Sequence, residues 1–153
     1  MEATRNQLVE KVRAAIGGET DRWKILDISV RLIDSFSDDF NWTGFYMKDG
    51  DVLRVGPYVG PVTEHTVIEL DRGICGAAAK QKKTVVVDDV RSDPRFLACS
   101  IQTRSEIVVP LMDGDECIGE IDIDSNRPAN FSPEDREMLE AVARVIVERL
   151  RRL

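Results

Sequence analysis

Two β-rich runs lie within Trp42-Thr-Gly-Phe-Tyr-Met-Lys-Asp-Gly-Asp-Val-Leu-Arg-Val-Gly-Pro-Tyr58. The runs span residues 42–47 and 52–58, and the segment between them contains Asp49-Gly50. Asp-Gly between two runs of this kind is a strong hairpin signal. The stretch therefore predicts two adjacent antiparallel strands.

Two helices are predicted before this hairpin. Apolar residues at helical spacing pass through Leu8, Val12 and Ile16 and stop at Gly17-Gly18, and a second series runs from residue 25 to residue 36. After the hairpin, four further strands are predicted over residues 66–70, 84–87, 106–112 and 117–124, the last two joined by a turn with Asp-Gly.

Two more helices complete the predicted elements. The alanine-rich segment after Gly73 favours a helix, and residues 88–104 are predicted to form an irregular connection. Ser132-Pro-Glu-Asp135 predicts the start of the last helix near Pro133, because it supplies a hydroxyl cap, a first-turn proline and acidic residues. The fold class is therefore α+β, with a central antiparallel six-stranded sheet and the N- and C-terminal helices on one face.

Composition restricts the possible functions. The chain has 153 residues, which we expect to form a single domain over 1–153, and 28 acidic residues against 21 basic ones, for a net charge of -7. Such a balance argues against nucleic acid as the main partner. Without an apolar run long enough to span a bilayer, and without a signal peptide, we expect a soluble cytoplasmic protein and no membrane partner.

Acidic residues alternate along one predicted strand. In Glu120-Ile-Asp-Ile-Asp124 the carboxylates share one face of the strand, and Ile121 and Ile123 share the other. This pattern is common on the solvated face of an antiparallel sheet. Three like charges without an interleaved cation repel each other, however, so the alternative is that they bind a cationic or ammonium-bearing ligand.

The three cysteines have different expected roles. Cys75 lies in the first turn of the helix after Gly73, where the helix dipole would favour its thiolate, although it could also pack as a small apolar residue. Cys99 lies in the long connection, where reactive groups are common. Cys117 is expected to share the apolar strand face of Ile121 and therefore to belong to the core.

Metal and nucleotide sites have little support. His65 is the only histidine, and no paired-cysteine or paired-histidine spacing typical of zinc sites is present. Phosphate-binding glycine loops are also missing. We therefore expect no metal and no cofactor.

Six segments, in order, resemble the free methionine-(R)-sulfoxide reductases, which are single GAF domains. The resemblance covers roughly residues 20 to 150. The segments are Asn41-Trp-Thr-Gly-Phe-Tyr46, Gly56-Pro-Tyr-Val-Gly60, Arg72-Gly-Ile-Cys-Gly76, Ala98-Cys99, Ser105-Glu-Ile-Val-Val-Pro110 and Ile118-Gly-Glu-Ile-Asp-Ile-Asp-Ser125.

The resemblance implies reduction of free L-methionine-(R)-sulfoxide, with thioredoxin or a similar dithiol as reductant. It makes Cys99 the nucleophile and Cys75 the resolving thiol, through a sulfenic acid and an intramolecular disulfide. Helix position alone would instead make Cys75 the more acidic thiol. The resemblance also implies a substrate site formed by Trp42, Tyr46, Glu106, Asp122 and Asp124. Any one of its three acids could donate the proton to the sulfoxide oxygen.

Three further expectations accompany the resemblance. Many members of this family have a third cysteine at the position where this chain has His65. Without that thiol, the expected route uses only Cys99 and Cys75. GAF domains outside the reductases are sensory, so the alternative function is a ligand-binding or redox-sensor module without turnover. Finally, Val145 and Val147 make the last helix apolar beyond its main stripe, which predicts a homodimer through the terminal helices.

Overall fold

The computed structural model of the chain describes residues 2–97 and 101–153. The helices and strands follow the predicted order, and their bounds are α1 (Glu2–Ile16), α2 (Arg22–Asp34), β1 (Trp42–Asp49), β2 (Val52–Val59), β3 (Val67–Glu69), α3 (Gly73–Gln81), β4 (Val85–Val87), β5 (Ser105–Asp113), β6 (Glu116–Ser125) and α4 (Pro133–Arg151). The predicted second helix ends at Asp34, before Phe36, and the connection after β4 contains a short 3₁₀ turn over Val90–Ser92.

The six strands form one antiparallel sheet. Their order is β3-β2-β1-β6-β5-β4, so both predicted hairpins, β1–β2 and β5–β6, are confirmed. β1 and β6 are the two central strands, although about seventy residues separate them in sequence. This long-range pairing places residues of β1, β5 and β6 side by side.

One face of the sheet packs against the terminal helices. Phe45, Ile107 and Ile123 project from the sheet into a core that α1, α2 and α4 close. The predicted hydroxyl cap at the start of α4 is confirmed. The Ser132 hydroxyl accepts a hydrogen bond from the backbone N–H of Asp135 at 3.1 Å, and the Asp135 carboxylate accepts one from the backbone N–H of Ser132 at 3.1 Å. Each side chain thus satisfies a donor that the first helical turn leaves open.

The opposite face is buried as well. α3 packs across it, and Ile74 and Ala78 join a second apolar cluster with Leu53 and Val108 of the sheet. The acidic residues of β6 lie on this face. The expectation of a solvated face is therefore wrong: a period of two shows which residues share a face, but not whether another element covers that face.

Cys117 is buried, as predicted, but on the other side of the sheet. It belongs to the cluster under α3, whereas Ile121 and Ile123 belong to the core under the terminal helices. The register between β5 and β6 shifts here, since Leu111 pairs with Gly119 and Met112 pairs with Cys117. The extra residue of this β-bulge reverses the alternation and turns Cys117 to the acidic face.

The valines that predicted a dimer surface do not form one. Val145 and Val147 are 7% and 3% exposed and pack inside the core that α4 shares with the other helices. The sequence argument for homodimerisation through these residues is therefore wrong, and the homodimer stays a prediction. Within the described residues, no helix is both long and apolar enough to cross a membrane.

Candidate active site

Four carboxyl groups line the acidic face of two adjacent strands. Glu106 of β5 pairs directly with Asp124 of β6, and Asp122 and Glu120 follow along β6 at every second residue. They are 5%, 3%, 4% and 0% exposed, in that order. Buried carboxyl groups are rare unless a partner compensates them. This group, called the acidic cluster below, therefore marks a place built for a proton or a cation.

Aromatic side chains of β1 border the acidic cluster. Trp42 pairs with Asp124 and Tyr46 pairs with Glu120 in the register between β1 and β6. The Trp42 ring lies over Gly44, where a Cβ would come within 2.4 Å of the ring. It stacks between Tyr46 and Tyr58, with centroid distances of 6.1 Å and 5.2 Å. Glycine at position 44 is therefore required for the Trp42 ring to lie between the two tyrosines.

α3 brings Cys75 to the acidic cluster. The helix begins at Gly73, whose φ of 68° favours glycine, and Cys75 lies in its first turn. One ligand-type atom each of Cys75, Glu106 and Asp122 lie within 4.8 Å of one another, and all three residues are buried. A thiol and two carboxyl groups thus meet at one point, although they come from three separate elements.

The acidity predicted for Cys75 from its helix position is wrong. Burial, followed by the charges of Asp122, Glu120 and Glu106, raises the pKa of the Cys75 thiol well above its usual range. A helix N-terminus lowers a thiol pKa only where opposing effects are weak, and here desolvation and several carboxylates act together. Cys75 is therefore a thiol, not a thiolate, at neutral pH.

Glu106 is the carboxyl group best suited to hold a proton. Burial, the charges of Asp122 and Asp124, and hydrogen bonding with both raise the pKa of Glu106 well above its usual range. Burial also raises the pKa values of Asp122 and Asp124, but hydrogen bonding with Glu106 lowers them. The proton of a protonated Glu106 can be donated to either aspartate, which explains these opposite contributions.

Glu120 was not among the predicted site residues, yet it lies beside Cys75. Burial and the charge of Asp122 raise the pKa of Glu120 well above its usual range, and a contact with the Cys75 thiol offsets part of this rise. Neither of its carboxylate oxygens has a hydrogen bond of ordinary geometry to a described residue. The sequence signal that could have identified Glu120 as a site residue is its alternation with Asp122 and Asp124 along β6.

Replacing Glu120 with glutamine is expected to make the protein more stable at pH 8 than the wild type. The folded pKa of Glu120 is raised above its ordinary value of 4.5. Above the ordinary pKa, the folded state therefore holds a proton that the unfolded chain has already released. The free energy of unfolding falls as pH rises from the ordinary pKa of Glu120 towards its raised pKa in the folded state. Urea unfolding of both proteins at pH 5 and pH 8 measures the effect.

The matched control for this comparison is Glu116→Gln, an exposed position on the same strand. We expect the control to show the wild-type pH dependence. If the wild type and Glu120→Gln lose the same stability between the two pH values, Glu120 does not hold the proton.

Two cavities flank the acidic cluster. The first, of about 20 Å³, lies among Cys75, Glu106, Asp122, Tyr46 and His65. The second, of about 200 Å³, is lined by Trp42, Asp124 and polar residues that include Asn41, Gln102 and Asn126. The first cavity has room for about one water-sized group. The second is large enough for a small amino acid, and the acidic cluster connects the two.

Hydrogen bonds hold the walls of these cavities. The Tyr46 hydroxyl donates to the backbone carbonyl of His65 at 2.8 Å, and Trp42 Nε1 donates to the carbonyl of Pro61 at 3.1 Å. Both contacts tie β1 to the connection between β2 and β3. His65 therefore lies at the edge of the site through its position on this connection.

Six of the seven predicted site residues come together in the structure. Cys75, Tyr46, Glu106 and Asp122 line the smaller cavity, and Trp42 and Asp124 line the larger one. Cys99, the predicted nucleophile, lies outside the described residues. Cys75 and Cys117 are free thiols.

The geometry agrees with the similarity of this chain to known proteins. The chain matches the GAF domain family over residues 20–150 and belongs to that family. Free methionine-R-sulfoxide reductase of Saccharomyces cerevisiae is 40% identical over 116 residues, which are 73% of this chain and 64% of the yeast protein. Free methionine-R-sulfoxide reductase of Escherichia coli is 34% identical over 126 residues, 82% of this chain and 76% of that protein.

A solved structure supports the same grouping. The X-ray structure of free methionine-R-sulfoxide reductase from Neisseria meningitidis, in complex with its substrate, matches with a TM-score of 0.93 at 34% identity, covering 98% of this chain and 90% of the other. Within the GAF domain family, this chain therefore belongs with the methionine sulfoxide reductases.

Proposed function

We propose that the protein reduces free L-methionine-(R)-sulfoxide to methionine, with thiols as the source of electrons. The observation that carries this proposal is the meeting of a buried thiol with the acidic cluster beside an aromatic wall. The names of the similar proteins supply the substrate. The chemistry of a sulfoxide then assigns a role to each part of the site.

The acidic cluster is proposed to bind the substrate ammonium group. Asp122 and Asp124 each keep a buried oxygen without a hydrogen bond of ordinary geometry to a described residue, so both can accept from an ammonium group. Trp42 and Tyr46 provide an apolar wall for the methyl and methylene groups of the substrate. This arrangement favours the free amino acid over a methionine within a peptide, since a peptide offers no ammonium group at that position.

Glu106 is proposed as the proton donor to the sulfoxide oxygen. A sulfoxide becomes a good electrophile only when its oxygen is protonated, and the raised pKa of Glu106 keeps a proton available near neutral pH. The sequence alone does not distinguish Glu106, Asp122 and Asp124 as proton donors. The contacts of Glu106 with both aspartates favour it, because they stabilise its protonated form.

The thiols are proposed to act in sequence. Cys99 attacks the sulfur as a thiolate, methionine leaves, and Cys99 retains the oxygen as a sulfenic acid. The thiol of Cys75 then displaces this oxygen as water and forms a disulfide with Cys99. An external dithiol, such as thioredoxin, reduces the disulfide. The raised pKa of Cys75 supports this order, because a protonated thiol is the poorer first nucleophile.

The direct test is the release of methionine from separated epimers of the free amino acid. We expect turnover of the (R) epimer with dithiothreitol as reductant and at least about 100-fold slower release from the (S) epimer, because one fixed proton donor can reach the oxygen of only one epimer. N-acetylated (R) sulfoxide is the control for ammonium recognition. Failure of the protein to turn over either free epimer would contradict the proposal and favour a ligand-binding or sensing module.

A further inference from the structure

The point where the thiol meets the acidic cluster also has the composition of a metal site. Cys75, Glu106 and Asp122 each offer one ligand atom, and these atoms lie within 4.8 Å of one another. The adjoining cavity of about 20 Å³ has Cys75, Glu106 and Asp122 among its lining residues. Such a volume accommodates one ion or water-sized group.

Unsatisfied carboxylate oxygens are the second observation. Both oxygens of Glu120, Oδ1 of Asp122 and Oδ1 of Asp124 are buried without a hydrogen bond of ordinary geometry to a described residue. Glu120 is completely buried and contacts the thiol of Cys75. Buried polar atoms without partners are rare in folded proteins, and they commonly indicate a missing ion, water or ligand.

No basic side chain compensates these groups directly, as far as the described residues show. Arg95 is the cation whose charge reaches Glu106, but its guanidinium is hydrogen-bonded to Asp93 at 2.7 Å and 3.0 Å. The described part of the site therefore gathers four carboxyl groups and a thiol without a fixed cation, and protons take the place of one. A mobile cation can supply the compensation whenever the substrate ammonium group is not present.

The ligand types indicate which cation fits. Magnesium and calcium prefer oxygen ligands only, whereas zinc binds thiolate, carboxylate and imidazole ligands. We propose that the reduced protein binds one Zn²⁺ through the Sγ of Cys75 and one carboxylate oxygen each of Glu106 and Asp122. Three protein ligands leave one position of a tetrahedral site open, which suits a water molecule in the small cavity.

Zinc and substrate would then exclude each other. The ion occupies the carboxylates that the proposed function assigns to the ammonium group and to the proton donor, and it ligates the thiol that resolves the sulfenic acid. Competition between zinc and methionine sulfoxide rests on the proposed function. The zinc site itself rests on the contacts of Cys75, Glu106 and Asp122 and on the unsatisfied carboxylate oxygens around them.

A cobalt titration of the reduced protein tests the site without measuring turnover. A thiolate bound to Co²⁺ absorbs in the near ultraviolet, so we expect a band that saturates at one Co²⁺ per chain and disappears when Zn²⁺ displaces the cobalt. Cys75→Ser is expected to abolish the band. Glu106→Gln is expected to weaken zinc binding by at least about 10-fold, the lower range for groups that support a metal site.

Cys117→Ser is the matched control, because Cys117 is a second buried thiol on the same face of the sheet. We expect it to keep the band. The proposal is overturned by the absence of a saturable band in the wild type, by persistence of the band in Cys75→Ser, or by its loss in Cys117→Ser.

Folding of the variants is checked separately by circular dichroism. Glu106→Gln keeps the shape of the side chain and matches the neutral, protonated form of Glu106, so it is expected to fold even where Cys75→Ser does not. Unchanged zinc affinity in a folded Glu106→Gln would also overturn the proposed ligand set. Zinc binding with no reductase activity would contradict the proposed function alone.

Discussion

Replacing Cys99 with serine is expected to lower the release of free methionine from the (R) sulfoxide by about 1,000-fold or more, because removal of a nucleophile leaves only binding and proton donation. Cys75→Ser is expected to behave differently. It should release about one methionine per chain in a single turnover and then accumulate the sulfenic acid of Cys99, which cannot be resolved within the chain.

The measurement is rapid mixing of reduced protein with substrate, with methionine and free thiols quantified at each time. Cys117→Ser is the control, since its thiol is buried in the apolar cluster under α3 and has no proposed role. If Cys99→Ser kept the full single turnover while Cys75→Ser lost it, the two roles would have to be exchanged.

Replacing Asp122 with asparagine is expected to reduce kcat/KM by about 100-fold or more without destabilising the protein. Asp122 contacts both the Cys75 thiol and Glu106, and its proposed role is to accept the substrate ammonium group. Asparagine keeps the shape but loses the charge that pairs with ammonium and favours protonation of Glu106. Removal of one of several buried like charges also relieves repulsion, so stability should not fall.

This opposite behaviour of activity and stability separates a substrate-binding role from a structural one. Thermal unfolding and steady-state kinetics are measured on the same preparations, with Asp115→Asn at an exposed turn position as the control. The control should match the wild type in both measurements. Wild-type kcat/KM in Asp122→Asn, or a loss of both stability and activity in proportion, would contradict the proposed role.

Local sequence signals were reliable wherever the structure they describe is local. Asp49-Gly50 lies between β1 and β2, and Ser132 begins α4 with the predicted capping contacts. In both cases the interactions join residues only a few positions apart. Their energies therefore depend little on the rest of the molecule.

Local sequence patterns do not predict the structure where distant elements meet. The period-two pattern correctly grouped Asp122 and Asp124, but α3 buries the face that they share. At Cys117 the pattern gave the wrong face, because a β-bulge against β5 reverses the alternation. Bulges depend on the register with a partner strand, and no pattern within β6 itself reveals that register.

The chemistry of Cys75 shows the same division most clearly. Its place in the first turn of α3 is a property of the chain near it, and this place predicted an acidic thiol. Packing of α3 onto β5 and β6 buries the thiol beside Asp122, Glu120 and Glu106. This burial and these carboxyl groups raise the pKa of Cys75 instead.

Short segments thus encode four features: the order of the elements, the strand pairing within hairpins, the helix caps and the alternation of acidic residues. They can do so because local hydrogen bonds and periodicity involve residues only a few positions apart. Burial of the acidic cluster and the raised pKa of Glu106 arise only when α3 covers the sheet, and the bulge that turns Cys117 arises only when β6 pairs with β5. Desolvation and charge–charge interactions depend on distances in space, and those distances join residues that lie tens of positions apart in the chain.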